Sequence, residues 1–417
     1  DSPDRARRLN NLGIGLRTRY ELTGQLEDLD AAIATCEAAA ACALASSPER
    51  ASILSNLGTG LSIRYARSGR PEDIDAAIVA YKDAISHTPA YDANRAGHLN
   101  NLALGLHVRY ARMGQPADLD AAINAWQEAL ARTPTDSSDQ TIYLTNLGNG
   151  LRARYARTGQ PADLAAAITA YLNAVARTPD DSPDRAANLN NLSTGLIDRY
   201  ARTGRPEDLE AAIAALEDTV ALTRDDSPGR AMYLNNLGAG LQARYARTGR
   251  LEDLEAALAA YKHSIAHTSV DSSERARNLN NLGLGLSDHY ARTGWIDDLI
   301  AAITAWQDAV AHTPADAPER ARYLNNLGNG LRARYARMGQ PEDLDAAIAA
   351  YKDAIDHTSA DSPYWASSLS NLGNGLHARY VWAGREEDLD AAIAAHEVAV
   401  AHTPVDAPER PISLFNL

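Results

Sequence analysis

One three-residue phrase returns along this chain at multiples of 45 residues. It stands at Asn11-Leu12-Gly13 and begins again at Asn56, Asn146, Asn236, Asn326 and Asn371. The Asn-Leu pair also keeps this register at Asn101, Asn191, Asn281 and Asn416. Nine complete units therefore follow without insertion or deletion, at 1–45, 46–90, 91–135, 136–180, 181–225, 226–270, 271–315, 316–360 and 361–405, and a tenth begins at 406–417. Such repetition predicts a single domain of stacked units, which has no central core but presents one long repeated surface.

The first half of each unit has the pattern of an amphipathic helix, here called helix A. In the second unit, Ser47-Pro48-Glu49 provides an N-cap, a proline at the first helical position and an acid in the first turn. The apolar residues that follow are three or four apart and share one face of the helix: Leu54, Leu57, Leu61 and Tyr65. We predict that helix A buries this face and runs to about Arg67.

The second half of each unit predicts another helix, here called helix B. Ser68-Gly69-Arg70 interrupts the chain, because glycine suits the left-handed conformation after a helix end, and Pro71-Glu72-Asp73 opens the next helix. Its predicted buried stripe is Ile74, Ala77, Ile78, Tyr81, Ala84 and Ile85, and it ends near His87. No segment shows the alternation of a β-strand. The sequence therefore predicts an all-α solenoid of antiparallel helical hairpins.

The unit resembles the tetratricopeptide repeat (TPR). The residues that carry the resemblance are Leu57-Gly58, Tyr65, Ala77, Tyr81, Ala84 and Pro89. The family's unit has roughly 34 residues, and the longer variant seen here is similar to repeats of large actinobacterial and fungal signalling proteins, where they accompany a CHAT protease domain or a signalling NTPase. The resemblance covers the whole chain. It implies a right-handed superhelical solenoid that binds proteins or peptides.

Composition argues against several classes of function. The chain carries 54 acidic and 40 basic residues, a net charge of −14, so we expect no binding to nucleic acid or to a membrane surface. No apolar run is long enough for a spanning helix and nothing resembles a signal peptide, which predicts a cytoplasmic protein. The two cysteines, Cys36 and Cys42, fit reduced packing residues. The chain lacks an initiator Met and ends inside a predicted helix, so we expect it to be part of a longer polypeptide, and its preference for arginine over lysine suits a bacterial source.

The face of helix A opposite the Leu/Tyr stripe varies between units, while the rest of the unit is nearly fixed. We call it the recognition face, and it comprises the places of Arg7, Asn10, Ile14, Arg17 and Thr18. The resemblance places it on the concave side of the array. A constant frame with a changing face is expected of a surface that recognises a partner, although free drift of exposed positions gives the same pattern. The candidate partner-binding residues are Asn100, His107, Asn149, Arg152, Asn190, Asn235, Gln242, Arg277, Asn280, Arg322, Asn325, Asn329 and Arg332.

Two residues of the constant frame also need a partner. In peptide-binding relatives, the asparagine matching Asn11 hydrogen-bonds the backbone of the bound peptide, and the alternative is that it satisfies a backbone group of a neighbouring helix. Arg19 and its equivalents, replaced only by His289 in the seventh unit, are predicted to pair with the acids that open helix B. Neither pattern points to catalysis.

Three tryptophans stand where most other units have a polar residue. They are candidate edge contacts for a partner, or they cover local irregularities: Trp295, Trp365 and Trp382. His263 and His267 are four residues apart but lack a third metal ligand, and we interpret His267 as a helix-end residue. With no nucleophile elbow, phosphate-binding loop or zinc motif in the sequence, we predict no enzyme activity, no metal and no cofactor.

Two hypotheses for function follow. The first is a protein- or peptide-binding scaffold or sensor array within a larger signalling or defence protein. The second is a structural spacer that forms homo-oligomers through its end repeats, because apolar residues leave the last unit without a polar cap: Ile412, Leu414, Phe415 and Leu417.

Overall fold

A computed structural model describes residues 3–44, 47–270, 272–360 and 362–403. Within these ranges every regular element is an α-helix, and the 18 helices alternate as A and B helices that pair in hairpins within each unit. The A helices span Pro3–Thr23 (α1), Pro48–Ser68 (α3), Asn94–Met113 (α5), Asp139–Thr158 (α7), Asp184–Thr203 (α9), Arg230–Thr248 (α11), Ser273–Thr293 (α13), Glu319–Met338 (α15) and Pro363–Ala383 (α17). The B helices span Leu26–Cys42 (α2), Pro71–Ser86 (α4), Pro116–Arg132 (α6), Pro161–Arg177 (α8), Pro206–Leu222 (α10), Leu251–Ala266 (α12), Ile296–Ala311 (α14), Pro341–Asp356 (α16) and Glu386–His402 (α18). The predicted all-α array of helical hairpins is confirmed.

The chain divides into two compact units, Asp1–Asp208 and Leu209–Leu417, with the boundary inside α10. In the first unit, Ile74, Trp126 and Tyr143 belong to one buried cluster that joins three successive hairpins. In the second unit, Ile303 and Tyr351 belong to another buried cluster, which also joins three successive hairpins. Each hairpin thus covers the apolar face of its neighbour within its unit, as a stacked array requires.

The predicted ends of the helices are observed in the second hairpin. The hydroxyl of Ser47 accepts a hydrogen bond from the backbone N–H of Glu49, 3.3 Å away, and α3 begins at Pro48. Gly69 follows α3 with φ of 68°, and its N–H donates to the carbonyl of Tyr65 at 2.7 Å. Glycine can adopt this left-handed conformation without the steric cost that a Cβ imposes, which explains why each hairpin turns at a glycine.

A second set of glycines lets helices A and B approach closely. The glycine of the Asn-Leu-Gly phrase faces a ring of helix B in its own hairpin, except in the first hairpin, where Gly13 faces Cys36. A Cβ at Gly148 would lie 2.5 Å from the nearest ring atom of Tyr171, and at Gly328 it would lie 2.5 Å from Tyr351. The ring fills the space that a side chain would need, so the phrase is repeated for a packing reason.

The Arg19 equivalents bind the acid that opens helix B, as predicted. In the second hairpin, Arg64 donates to both carboxylate oxygens of Asp73, at 3.0 and 2.6 Å, and its third nitrogen reaches Asp30 of the preceding hairpin at 3.0 Å. The equivalent pairs are Arg19–Asp28, Arg109–Asp118, Arg154–Asp163, Arg199–Asp208, Arg244–Asp253, His289–Asp298, Arg334–Asp343 and Arg379–Asp388. The hydrogen bonds from arginine hold the pKa of Asp28 and of Asp388 below the ordinary value. These arginines are therefore part of the frame.

Candidate functional site

The repeated asparagine forms a ladder between A helices. The side-chain amide of Asn146 donates to the side-chain oxygen of Asn100 at 2.9 Å, so each bond joins one hairpin to the preceding one. The same bond joins Asn56 to Asn10, Asn101 to Ser55, Asn281 to Asn235, Asn326 to Asn280 and Asn371 to Asn325. In these pairs the amide donates to a side chain of the preceding hairpin and not to a helix backbone group.

The ladder buries several residues that the sequence placed on an exposed face. Asn100, Asn190, Asn235 and Asn280 are each at most 8% exposed. Their angular positions on an isolated helix place them opposite the Leu/Tyr stripe, but the next A helix packs on that side. Asn325 is half-buried and has the same acceptor role. The expectation of an exposed face was wrong for the four buried residues.

Three further candidates hold the hydroxyl of the helix B tyrosine. Tyr171 donates to Asn149 and Tyr351 donates to Asn329, both at 2.8 Å, while Tyr261 donates to Gln242 at 2.9 Å. Burial raises the pKa of Tyr351 to about 12. These amides satisfy phenols that would otherwise lose a hydrogen bond on burial.

Two candidates are also bonded to a carboxylate of the following hairpin. The Nε of Arg152 donates to Asp198 at 2.7 Å, and the amide of Gln242 donates to Asp288 at 2.6 Å. In both bonds the acceptor belongs to the following A helix and lies 46 residues after the donor. Arg152 therefore has a carboxylate partner within the chain, in a partly exposed pair.

Two histidines of α5 lie within the packing of the first unit. His107 meets the indole of Trp126 edge to face, with ring centroids 5.8 Å apart. His98 is 7% exposed, and its Nε2 is buried without a hydrogen-bond partner among the described residues. Burial lowers the pKa of both imidazoles below 6.5, because it disfavours the charged form.

This burial predicts acid sensitivity that replacing His98 with asparagine should reduce. Because the folded-state pKa of His98 is below 6.5, the unfolded chain binds more protons in acid than the folded chain does. The stability that the neutral imidazole contributes is therefore fully present above pH 6.5 and is lost as the pH falls through the folded-state pKa. Asparagine occupies the equivalent places 188 and 278, where it donates to a threonine hydroxyl at 2.9 and 3.1 Å. We expect a smaller drop in the free energy of unfolding between about pH 7.5 and about pH 5 in His98→Asn than in the unmodified chain. Equal drops measured by urea titration would contradict this.

Arg277 and Arg322 border open clefts in the second unit. A cleft of about 490 Å³ is lined by Glu274, Arg277, Arg322 and Tyr323 together with the loop at His312–Pro314. A second cleft of about 490 Å³ continues past Arg322 to Tyr364. Arg277 has one carboxylate neighbour, Glu274, at 3.7 Å, and the guanidinium of Arg322 lies 5.3 Å from the ring centre of Tyr323. Both arginines can therefore bind an added group.

Arg332 lies on the same face of α15, ten residues after Arg322. It is half-buried beside Tyr351, and its Nε is buried without a hydrogen-bond partner among the described residues. No described carboxylate forms an ion pair with Arg332 or with Arg322, whereas Arg152 is paired. Arg277 and Arg322 thus line one cleft in the second unit, and Arg332 lies ten residues after Arg322 in α15.

The three tryptophans have different environments. Trp295 is 66% exposed, and its ring meets His289 with centroids 5.6 Å apart. Trp382 is 51% exposed beside Val381, which is 70% exposed. Trp365 instead packs on the A–B contact of the last hairpin and meets His402 at 4.8 Å. Trp295 and Trp382 remain candidates for contact with a partner, and Trp365 has a packing role.

Several helix-end histidines have a structural explanation. The Nδ1 of His267 donates to the carbonyl of His263 at 2.8 Å, and His87, His312, His357 and His402 form the same bond to the residue four places earlier. Cys36 is buried and Cys42 is half-buried, both as free thiols. Among the described residues there is no group of three or more metal-ligating side chains. In the same ranges, no helix has both the length and the apolar character needed to cross a membrane.

Comparison with known proteins finds similarity only among solved structures. No family model and no curated protein matches the chain. The C-terminal part of a TPR repeat-containing protein from Cytophaga hutchinsonii is 13% identical, covers 78% of this chain and 99% of its own, and has a TM-score of 0.47. MamA is 21% identical over 49% of this chain and 92% of its own (TM-score 0.33), and YrrB, a TPR protein with an unusual peptide-binding site, is 16% identical over 60% and 97% (TM-score 0.37). At these identities and TM-scores, the fold assignment rests on the chain's own helices and contacts.

Proposed function

We propose that this chain is a scaffold that binds a protein or peptide segment through the recognition face of α13, α15 and α17. The observation that carries the proposal is the set of three arginines on that face, Arg277, Arg322 and Arg332, in a chain of net charge −14. Arginines elsewhere in the frame have carboxylate partners, as Arg64 has Asp73 and Asp30. Among the described residues Arg322 and Arg332 have no carboxylate partner, and the one near Arg277, Glu274, is 3.7 Å away. These guanidinium groups can therefore form charge-assisted hydrogen bonds with a ligand.

The test compares a double variant of the recognition face with a control variant of equal charge. Peptides selected from a random display library against the whole chain are labelled, and their affinity is measured by fluorescence anisotropy. In the variant Arg322→Gln/Arg332→Gln we expect about tenfold weaker binding. Asn325 is left unchanged because it belongs to the ladder.

The control is Arg292→Gln/Arg337→Gln, which removes two exposed arginines near the ends of α13 and α15. It lowers the net charge equally but leaves the recognition face intact, so we expect affinity within about twofold of the unmodified chain. Equal losses in the two variants would indicate non-specific charge effects. Undiminished binding by the first variant would rule out this face as the binding surface.

Self-assembly through end repeats remains the alternative. In its favour, Leu12 on α1 is 53% exposed, and a Cβ at Gly15 would meet nothing within 4 Å, whereas the equivalent Gly60 packs on Ile33 at 3.0 Å. The residues expected at the other end, Ile412, Leu414, Phe415 and Leu417, lie outside the described residues. Light scattering over a wide concentration range separates the hypotheses: a mass that stays near 44.7 kDa contradicts assembly, and a rising mass supports it.

The wider setting is also a proposal. We infer that the chain is part of a larger cytoplasmic signalling or defence protein in a bacterium, on the basis of the 45-residue variant of the repeat. Sequencing the complete reading frame tests this, and a frame that encodes only repeats would contradict it.

A further inference from the structure

The fourth and eighth hairpins contain an arginine in the same local sequence, with a carboxylate partner in the fourth hairpin and without one in the eighth. Residues 146–157 and 326–337 are identical in sequence. In both hairpins the helix B tyrosine donates to the asparagine at the same place, Tyr171 to Asn149 and Tyr351 to Asn329, each at 2.8 Å. The two arginines that follow, Arg152 and Arg332, therefore begin from the same local frame.

The two arginines differ in what the following hairpin offers them. Asp198 lies 46 residues after Arg152 and accepts its Nε hydrogen bond at 2.7 Å. The residue 46 places after Arg332 is Ala378, whose methyl group cannot accept a hydrogen bond. The Nε of Arg332 is accordingly buried without a partner among the described residues.

A third hairpin shows that the place itself suits a carboxylate. Gln242 occupies the place of Arg152 in the sixth hairpin, and it donates to Asp288 of the seventh hairpin at 2.6 Å. Two described A helices have a carboxylate at this place, Asp198 and Asp288. Each of them accepts a hydrogen bond from the preceding hairpin. The chain itself thus indicates which chemical group completes the site.

We propose that the terminal N–H groups of Arg332 bind the carboxylate of an aspartate or glutamate side chain of the partner, beside Ala378, where the fourth hairpin has Asp198. This rests on the proposed function, because it names the chemistry of the segment that the recognition face binds. The fork of N–H donors on guanidinium matches a carboxylate, and the Tyr351 hydroxyl, which donates to Asn329, also hydrogen-bonds the arginine. Arg332 would then select acidic segments.

The spacing on α15 suggests how such a segment is arranged. Arg322 precedes Arg332 by ten residues, which is about 15 Å along a helix. An extended peptide rises about 3.3 Å per residue, so acidic residues about five places apart can reach both arginines. The matching probe is a fluorescein-labelled peptide with two glutamates five places apart in a neutral Ser/Ala/Thr background, and its twin has glutamine at both places.

The decisive variant is Ala378→Asp, which supplies from within the chain the carboxylate that Asp198 provides in the fourth hairpin. Ala378 is half-buried, so the change adds a group at a partly open place. The control is Ala378→Asn, which has nearly the same size and no charge. Thermal melting followed by circular dichroism checks that both variants fold.

Anisotropy of the unmodified chain should show the glutamate peptide binding about fivefold more tightly than its glutamine twin, the size expected of a partly exposed ion pair. Ala378→Asp should reduce this preference to the part that Arg322 contributes, about twofold, and Ala378→Asn should keep it whole. The proposal is overturned if Ala378→Asp keeps the whole preference, or if the unmodified chain binds the twins equally or binds neither. In those cases the proposed function still stands if library-selected peptides lose affinity in the Arg322→Gln/Arg332→Gln variant, so the two failures are distinguishable.

Discussion

Replacing Gly148 with alanine is expected to lower the free energy of unfolding by about 3 kcal/mol, which is the upper range for adding a methyl group to a packed site. The new Cβ would lie 2.5 to 2.9 Å from three ring atoms of Tyr171, and that ring is itself 1% exposed. The ring cannot move away without breaking its hydrogen bond to Asn149. Urea unfolding of the whole chain measures the loss, and hydrogen exchange locates it in α7 and α8.

The matched control for this glycine is Gly15→Ala. Gly15 is also inside an A helix, but a Cβ there would meet nothing within 4 Å. Alanine has the higher helix propensity, so we expect a gain of about 0.5 to 1 kcal/mol. The double variant Gly148→Ala/Tyr171→Leu should lose less than the sum of its single changes, because leucine removes the ring that the methyl group strikes. Strict additivity, or a harmless Gly148→Ala, would show that close approach of the two helices is not the reason for the glycine.

Replacing Asn100 with alanine is expected to lower the free energy of unfolding by about 2 to 3 kcal/mol, because it leaves buried donors without an acceptor. The side-chain oxygen of Asn100 accepts from the amide of Asn146 at 2.9 Å and from the indole N–H of Trp126 at 3.1 Å. One substitution therefore removes a bond inside a hairpin and a bond between hairpins. Urea unfolding, with tryptophan fluorescence reporting on Trp126, measures both consequences.

Serine offers a graded control at the same place. Ser55 occupies the equivalent position in the second hairpin and accepts from Asn101 at 3.2 Å. We therefore expect Asn100→Ser to cost roughly half as much as Asn100→Ala, since a hydroxyl retains an acceptor for the ladder. If alanine and serine cost the same, the loss would come from packing volume and not from hydrogen bonding.

The sequence by itself determined the hairpin. The cap at Ser47, the left-handed turn at Gly69 and the buried stripe around Ile74 were predicted and are observed, because each depends on residues a few places apart. The pairing of Arg19 with an acid at the start of helix B was predicted for the same reason, since both residues belong to one hairpin. Interactions within a repeat follow from spacing that can be read directly.

Only the tertiary structure decided which residues of the recognition face are available. A helical wheel for α5 shows Asn100 opposite the Leu/Tyr stripe, yet the neighbouring A helix buries it and its partner is Asn146. Arg152 and Arg332 lie in identical sequence, but 46 places later Asp198 pairs with Arg152, whereas Ala378 leaves the Nε of Arg332 without a partner among the described residues. The offset of 46, one more than the repeat, arises from how adjacent helices are staggered when they pack. The periodicity of the sequence does not predict this stagger, because the stagger is set by side chains that interlock between neighbouring helices.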